Sequence, residues 1–206
     1  MSDDIRKEQY RGYAVRVVVD DEPMDPTDCD NWISNFYHWH RRHLFCKRAT
    51  ICETPAHIAP VFDRIKKGVA MAIPVALFEH GDCRLYEGKS AHPQDPGGWD
   101  SGHVGFLVVE KKAFVAACGR GKWKDKEFVL KQLRDELEVL RAYVAGESYG
   151  WIAELPNGEH LDSCYGFTGE SIDSVLEFAK QAVDVDLYIA EDDYDHHAPV
   201  AQEVLS

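Results

Sequence analysis

From Asp125 onward, apolar residues recur at Leu130, Leu133, Leu137, Leu140 and Val144. That spacing lines one face of a helix, the longest the chain predicts, and Gly146 stops it. A second helical stripe, Ile172, Val175, Leu176, Ala179 and Val183, follows Ser171 as a cap. A third is shorter: Thr54 as N-cap, Pro55 at the first helical position, then Ile58, Val61, Phe62 and Ile65, with Gly68 past the end. Strand patterns alternate with these helices. Gly12 to Asp20 is Val-rich and runs into an acidic, Pro-containing loop at 21–26. Val69 to Phe78 reads as a buried strand in which Pro74 demands a bulge or an edge position. His103 to Glu110 reads as another, after a loop rich in Gly, Pro and Asp that begins at Gly88. Ser148 to Glu154 and Glu159 to Tyr165 flank Pro156-Asn157-Gly158, and an Asn-Gly step suits a tight hairpin. Val185 to Ala190 reads as a last strand, running into the acidic stretch 191–195. Asp28 to Phe45 has poor periodicity, and its aromatic content behind Asp28 or Asp30 reads as a helix.

Strands clustered in hairpins with about three interspersed helices indicate an α+β fold, a mostly antiparallel sheet with the helices packed on one face. The 206 residues suit one domain over 1–190, with an acidic sub-lobe from about 135 and a flexible acidic tail over 191–206. No apolar run is long enough to span a membrane, and Met1-Ser2-Asp3-Asp4 has neither a basic nor an apolar leader character. Six cysteines lie without a CxxC pair, as in a reduced compartment, so a cytosolic location in the producing cell is expected.

Charge changes the picture. The 72 residues from Asp135 carry seventeen carboxylates against Arg141 and Lys180, whereas 1–134 carry nineteen against twenty-one basic side chains. About −15 therefore falls on the last third and about +2 on the rest, giving the net −13. A surface of one sign steers basic partners in and repels nucleic acid. A 34 Å length of duplex DNA presents roughly 20 phosphates. Seventeen carboxylates on a lobe about 25 Å across approach that density if most face one way. The candidate partner-binding residues are Asp135, Glu136, Glu138, Asp173, Glu177, Asp184, Asp186, Glu191, Asp192 and Asp193. The plainer reading is that these charges keep the protein soluble.

Trp99-Asp100-Ser101-Gly102-His103-Val104-Gly105-Phe106, followed by Val109-Glu110-Lys111, resembles the WDSGxxGF signature of a widespread set of uncharacterised proteins encoded by bacteriophages and other mobile elements. Asp30-Asn31-Trp32 with His40-Arg41-Arg42, the segment 143–150, and Asp162-Ser163-Cys164-Tyr165-Gly166-Phe167 resemble other blocks of that set. The likeness spans about residues 10–170 and has no counterpart after Ala190. It implies a mobile-element accessory protein and brings no catalytic residues with it.

The signature reads chemically in two ways. Trp99, Asp100, Ser101 and His103 could form a ligand loop, since glycine lets a backbone approach closely. Alternatively, Asp100 and Ser101 satisfy turn backbone, the glycines fill crowded positions and Trp99 plugs the sheet edge. Cys164 follows His160 and Asp162, but on a strand His160 and Cys164 stand roughly 13 Å apart at about 3.3 Å per residue. A Cys–His pair would need a histidine from elsewhere, His103 being the candidate. His38, His40 and His43 cluster, yet no single local conformation presents all three to one ion. Arg41, Arg42, Lys47 and Arg48 surround them, so no metal or other cofactor is expected. Lys111, Lys112, Arg120, Lys122, Lys124 and Lys126 around Trp123 could contact phosphates and stack on a base, against the overall charge.

Three functions follow as expectations. The first is a phage counter-defence protein of anti-CRISPR or antirestriction type, which would occupy a basic nucleic-acid-binding surface of a host effector through its acidic third. The second is a small Cys/His-dependent hydrolase or nucleotide-processing enzyme around His103 and Cys164. The third is a ligand-sequestering module built on the Trp99 to Phe106 loop.

Overall fold

The computed structural model describes residues 4–197 and is α+β, with mostly antiparallel strands. The strands form two sheets rather than one, and there are four α-helices among the described residues. The chain divides into two compact units. One is built from the chain ends, up to Asp21 and from Ser148, and the other is Glu22–Glu147. The division thus falls after the long helix that carries Asp135, Glu136 and Glu138, and not near residue 135.

In the end unit, β1 (Asp4–Tyr10), β2 (Tyr13–Val19), β8 (Ser148–Glu154) and β9 (His160–Thr168) form a fully antiparallel sheet in the order β1-β2-β8-β9. Helix α4 (Ile172–His197) packs Val175, Leu176, Ala179 and Val183 against Val15, Val17, Trp151 and Ala153. Ser171 caps it as expected, its Oγ accepting the Ser174 N–H at 3.1 Å. The expected strand at Val185 to Ala190 is instead a continuation of this helix. No Gly or Pro lies between Val183 and His197, and Leu187 packs against the same core, so the tertiary stripe overrides the β-branched composition. Backbone helix also covers residues 191–197, where the tail was expected. The rest of that tail, 198–206, lies outside the described residues, as do the side chains of Glu191, Asp192 and Asp193.

In the Glu22–Glu147 unit, β3 (Ser34–His38), β4 (Ala49–Ile51), β5 (Ala70–Glu79), β6 (Cys83–Glu87) and β7 (Ser101–Glu110) form a sheet in the order β4-β3-β7-β5-β6. Only the β3–β4 pair is parallel. Period-two alternation sends Ile73, Val75, Leu77, Leu107 and Val109 to one face. There they meet Leu133, Leu137 and Leu140 of α3 (Lys126–Val144) and Phe114 of α2 (Lys111–Cys118). Ala70, Ala72, Phe106 and Val108 pack in a separate cluster with Ile58, Val61 and Phe62 of α1 (Pro55–Lys66). Helices therefore cover both faces of this sheet, not one.

The segment Asp28 to Phe45 is not a helix. A short 3-10 turn, Pro26–Asp28, precedes β3, in which Ser34, Phe36 and His38 are buried at every second position. Pro74 lies on an internal strand and meets both of its constraints locally. β5 bulges against β7 between Val75 and Ala76, and pairing with β6 begins only at Val75, so the missing N–H falls beyond that ladder. Among the described residues, no helix is long and apolar enough to cross a membrane.

Candidate functional site

β3 and β5 flank β7 and both run antiparallel to it, so their C-terminal ends and the start of β7 meet at one end of the sheet. The WDSG loop enters there. Its polar residues chiefly organise the loop: Asp95 accepts the Trp99 and Asp100 N–H groups at 3.1 and 2.9 Å. Ser101 Oγ donates to Asp95 at 2.7 Å and accepts from His92 N–H at 2.9 Å, and the Ser101 bond holds the Asp95 carboxyl below its usual range. Asp100 contacts His80 Nδ1 at 2.8 Å. Gly105 is sterically required, because a Cβ there would sit 2.2 Å from Tyr37 O on the neighbouring strand. Gly102 meets no such crowding. Trp99 plugs nothing, being 90% exposed.

β7 walls a cavity on each side. On the α1 side, Trp39, Cys52, Pro55, Ile58, Phe62 and Phe106 enclose a hollow of about 460 Å³, with Glu53, Thr54 and His103 supplying the polar groups. Trp39 Nε1 donates to His103 O at 3.0 Å, and His103 Nε2 to Gly105 O at 2.9 Å. The second bond puts the ring proton on Nε2 and leaves Nδ1 as an acceptor. Burial lowers the His103 pKa, so the ring is neutral at pH 7.

The other cavity, about 430 Å³, is polar and is lined by His40, Arg42, Glu79, Trp99, Asp100 and Ser101, over Leu77 and Val104. His43 Nε2 lies 3.2 Å from one Glu79 oxygen and His40 Nε2 3.9 Å from the other, with the two imidazoles stacked at 4.9 Å. One donor atom from each of the three residues lies within 4.8 Å of the others, and no other grouping of three metal-ligating side chains does so among the described residues. Burial lowers the His40 pKa, with the charge of His43 adding to it, and the His43 bond lowers that of Glu79. Arg42 Nη2 also reaches Glu79, at 2.8 Å. His38 stands apart from the trio: it is fully buried, neither ring nitrogen has a hydrogen-bond partner, and burial pushes its pKa down to about 4.

No protein-family profile, curated protein or solved structure matches the chain. The chemistry of these cavities is therefore read from their geometry.

The acidic candidates are placed differently from expectation. Glu136 is buried, accepting the N–H groups of Ile33 and Ser34 at 3.0 and 3.1 Å, so it anchors the entry to β3 and offers nothing to a partner. Burial raises its pKa even so. Asp135 pairs with Lys131, Glu138 with Arg141, Asp173 with Arg6, Glu177 with Lys180 and Asp184 with Arg11, while Asp186 accepts from Tyr13 at 3.0 Å. Asp135 and Glu138 belong to the Glu22–Glu147 unit and the α4 carboxylates to the end unit, so the acidic third is not one lobe. Cys164 and His160 are exposed on β9, in a different unit from His103. Trp123 is buried against Phe114 and cannot stack on a base. Sequence reasoning missed Glu79, which lies 36 residues from His43. Only the shared pairing of β3 and β5 with β7 brings the two together, and no local spacing carries that information.

Proposed function

We propose that the protein is a ligand-binding accessory protein of the mobile-element kind, which sequesters a small, flat, largely apolar molecule on the α1 side of the five-stranded sheet. The observation that carries this reading is the cavity of about 460 Å³ walled by Trp39, Ile58, Phe62 and Phe106. Its size falls within the about 300–1,000 Å³ range of small-molecule sites, and its lining is mostly apolar with few polar groups. Glu53 and the neutral His103 ring both accept hydrogen bonds, so the favoured ligand carries N–H or O–H donors. Aromatic amines and phenols are suitable probes. Thermal unfolding of the full chain should rise in temperature with such compounds, by about 2.7 kcal/mol of added stability at 100 times Kd. Phe106→Ala and Trp39→Ala should abolish the rise. A probe set that stabilises neither the wild type nor any variant, or stabilises all equally, removes this reading.

A second reading, occupation of a basic groove on a host effector in anti-CRISPR or antirestriction fashion, is supported by the exposure of the α4 carboxylates. The Asp173, Glu177 and Asp184 side chains are 80, 63 and 43% exposed. Exposed pairs of this kind contribute little and exchange readily for intermolecular ones.

A further inference from the structure

We propose that His40, His43 and Glu79 bind a divalent cation of the zinc class, with an open coordination position facing the polar cleft beneath Trp99, Asp100 and Ser101. This site is separate from the apolar cavity and stands or falls independently of it. Two imidazoles and one carboxylate are a donor set that zinc takes where it keeps a position free for water or a ligand. Ligand atoms about 2.0–2.2 Å from a tetrahedral ion stand roughly 3.3–3.6 Å apart. One donor atom from each residue lies within 4.8 Å of the others, and the two Glu79 oxygens stand 3.2 and 3.9 Å from the His43 and His40 Nε2 atoms, so small side-chain adjustments bring the set to that spacing.

The donors are held from two directions. Glu79 ends β5, with its N–H bonded to Asp100 O at 2.8 Å and its backbone paired with Cys83 of β6. The two histidines sit on the turn that leaves β3, and that turn closes on Phe45, which is buried and adopts φ 65. A bulky side chain in the left-handed region is costly and persists only where the surroundings fix it. The Phe45 ring lies 5.8 Å from the His40 ring and 5.6 Å from that of His43, so it backs the imidazole pair.

Three features compete with an ion. His43 Nε2 donates its proton to Glu79 at 3.2 Å, and coordination by the two groups displaces that proton to Nδ1 or to solvent. His40 Nδ1 accepts the His43 N–H, which leaves the ring proton on Nε2 in the neutral form. At 3.3 Å that bond is long, and coordination through Nε2 exchanges it for a metal–nitrogen bond. Arg42 places its charge on the Glu79 carboxylate, but its side chain is 73% exposed and is free to turn into solvent. Arg42 thus acts as the resident cation that the ion displaces, and its removal strengthens the site.

The sequence also carries acids and histidines over 192–197, whose side chains lie outside the described residues, and the test separates them from the His40, His43 and Glu79 site. The full chain, stripped with a chelator, is titrated calorimetrically with Zn²⁺ and, for its visible absorption, with Co²⁺. One ion per chain is expected. His43→Ala and Glu79→Gln should each weaken binding by about tenfold or more, since even changes to the groups behind the ligands cost that much. Arg42→Ala should tighten it, and the double variant His196→Ala, His197→Ala should bind as wild type does. If Glu79→Gln fails to fold, the loss in His40→Ala and the gain in Arg42→Ala carry the same test. Absence of binding, wild-type affinity in His43→Ala, or loss of binding in the 196/197 variant each overturns the proposal.

Discussion

In the end unit, charged side chains answer one another across the sheet and helix. Arg6 meets Glu8 and Asp173, Lys180 meets Glu8 and Glu177, Arg16 meets Asp4 and Glu154, and Tyr10 and Tyr13 donate to Asp184 and Asp186. In the Glu22–Glu147 unit the same kinds of surface pair occur, but one end of the sheet is different. There His38 is buried without a partner, His40, His43 and Glu79 converge, and hollows open on both sides of β7. Charge density and side-chain convergence therefore mark different regions. Function is better sought where side chains converge without being fully spent on the fold, and that is the end of β7.

The contrast depends on the second unit having a well-packed core despite its hollows. Leu137 is 2% exposed, in the cluster that joins α3 to β5 and β7. Leu137→Ala should cost about 2–5 kcal/mol, the sum of lost transfer energy and the cavity left behind. Chemical denaturation measures it. A transition identical to the wild type would mean that α3 is not part of this core.

A finer test uses His38. Its folded pKa, pushed down to about 4 by burial, lies below the ordinary 6.5, so the unfolded chain takes up a proton that the folded chain refuses. The stability held by the neutral ring is complete above pH 6.5 and is lost as pH falls towards 4. The difference is on the order of 3 kcal/mol at about 1.36 kcal/mol per pKa unit. His38→Leu removes this dependence and also two unpartnered polar atoms, so it should match or exceed the wild type at pH 7 and gain on it steadily down to pH 4. Parallel pH profiles of the two proteins would show that His38 is hydrated or paired in solution.

Much of the fold was legible in the sequence because its signals are local. The stripe Leu133, Leu137, Leu140 gave α3, Thr54-Pro55 with Gly68 bounded α1, and Pro156-Asn157-Gly158 placed the β8–β9 turn. What was not legible depends on pairing at a distance. β3 reads as an aromatic helix until Ser34, Phe36 and His38 are seen to alternate against β7. Glu136 reads as one more surface carboxylate on a helix until the N–H groups of Ile33 and Ser34, about a hundred residues earlier, claim it. The WDSG segment stood out in the sequence, and it does border the polar cavity, while His103 and Phe106 beyond it on β7 line the apolar one. Even so, Asp95, which organises that loop, and Glu79, which completes the histidine cluster, carry no local signature.

The smallest expected effect tests the other side of the comparison. Asp173, Glu177 and Asp184 lie on the exposed side of α4, paired with Arg6, Lys180 and Arg11. Replacing the three by their amides keeps size and removes charge, and because exposed pairs contribute little, the unfolding transition should stay where it is. Partner capture is the informative readout. If α4 engages a basic groove, affinity for a basic host nucleic-acid-binding protein should fall in the triple amide variant. It should also fall with salt for the wild type, as the screening length shrinks from about 10 Å at 0.1 M to about 3 Å at 1 M. If these carboxylates only answer the unit's own cations, affinity will be the same for both proteins and flat with salt. The acidic surface would then be a solubilising feature, and the end of β7 would be left as the candidate functional region.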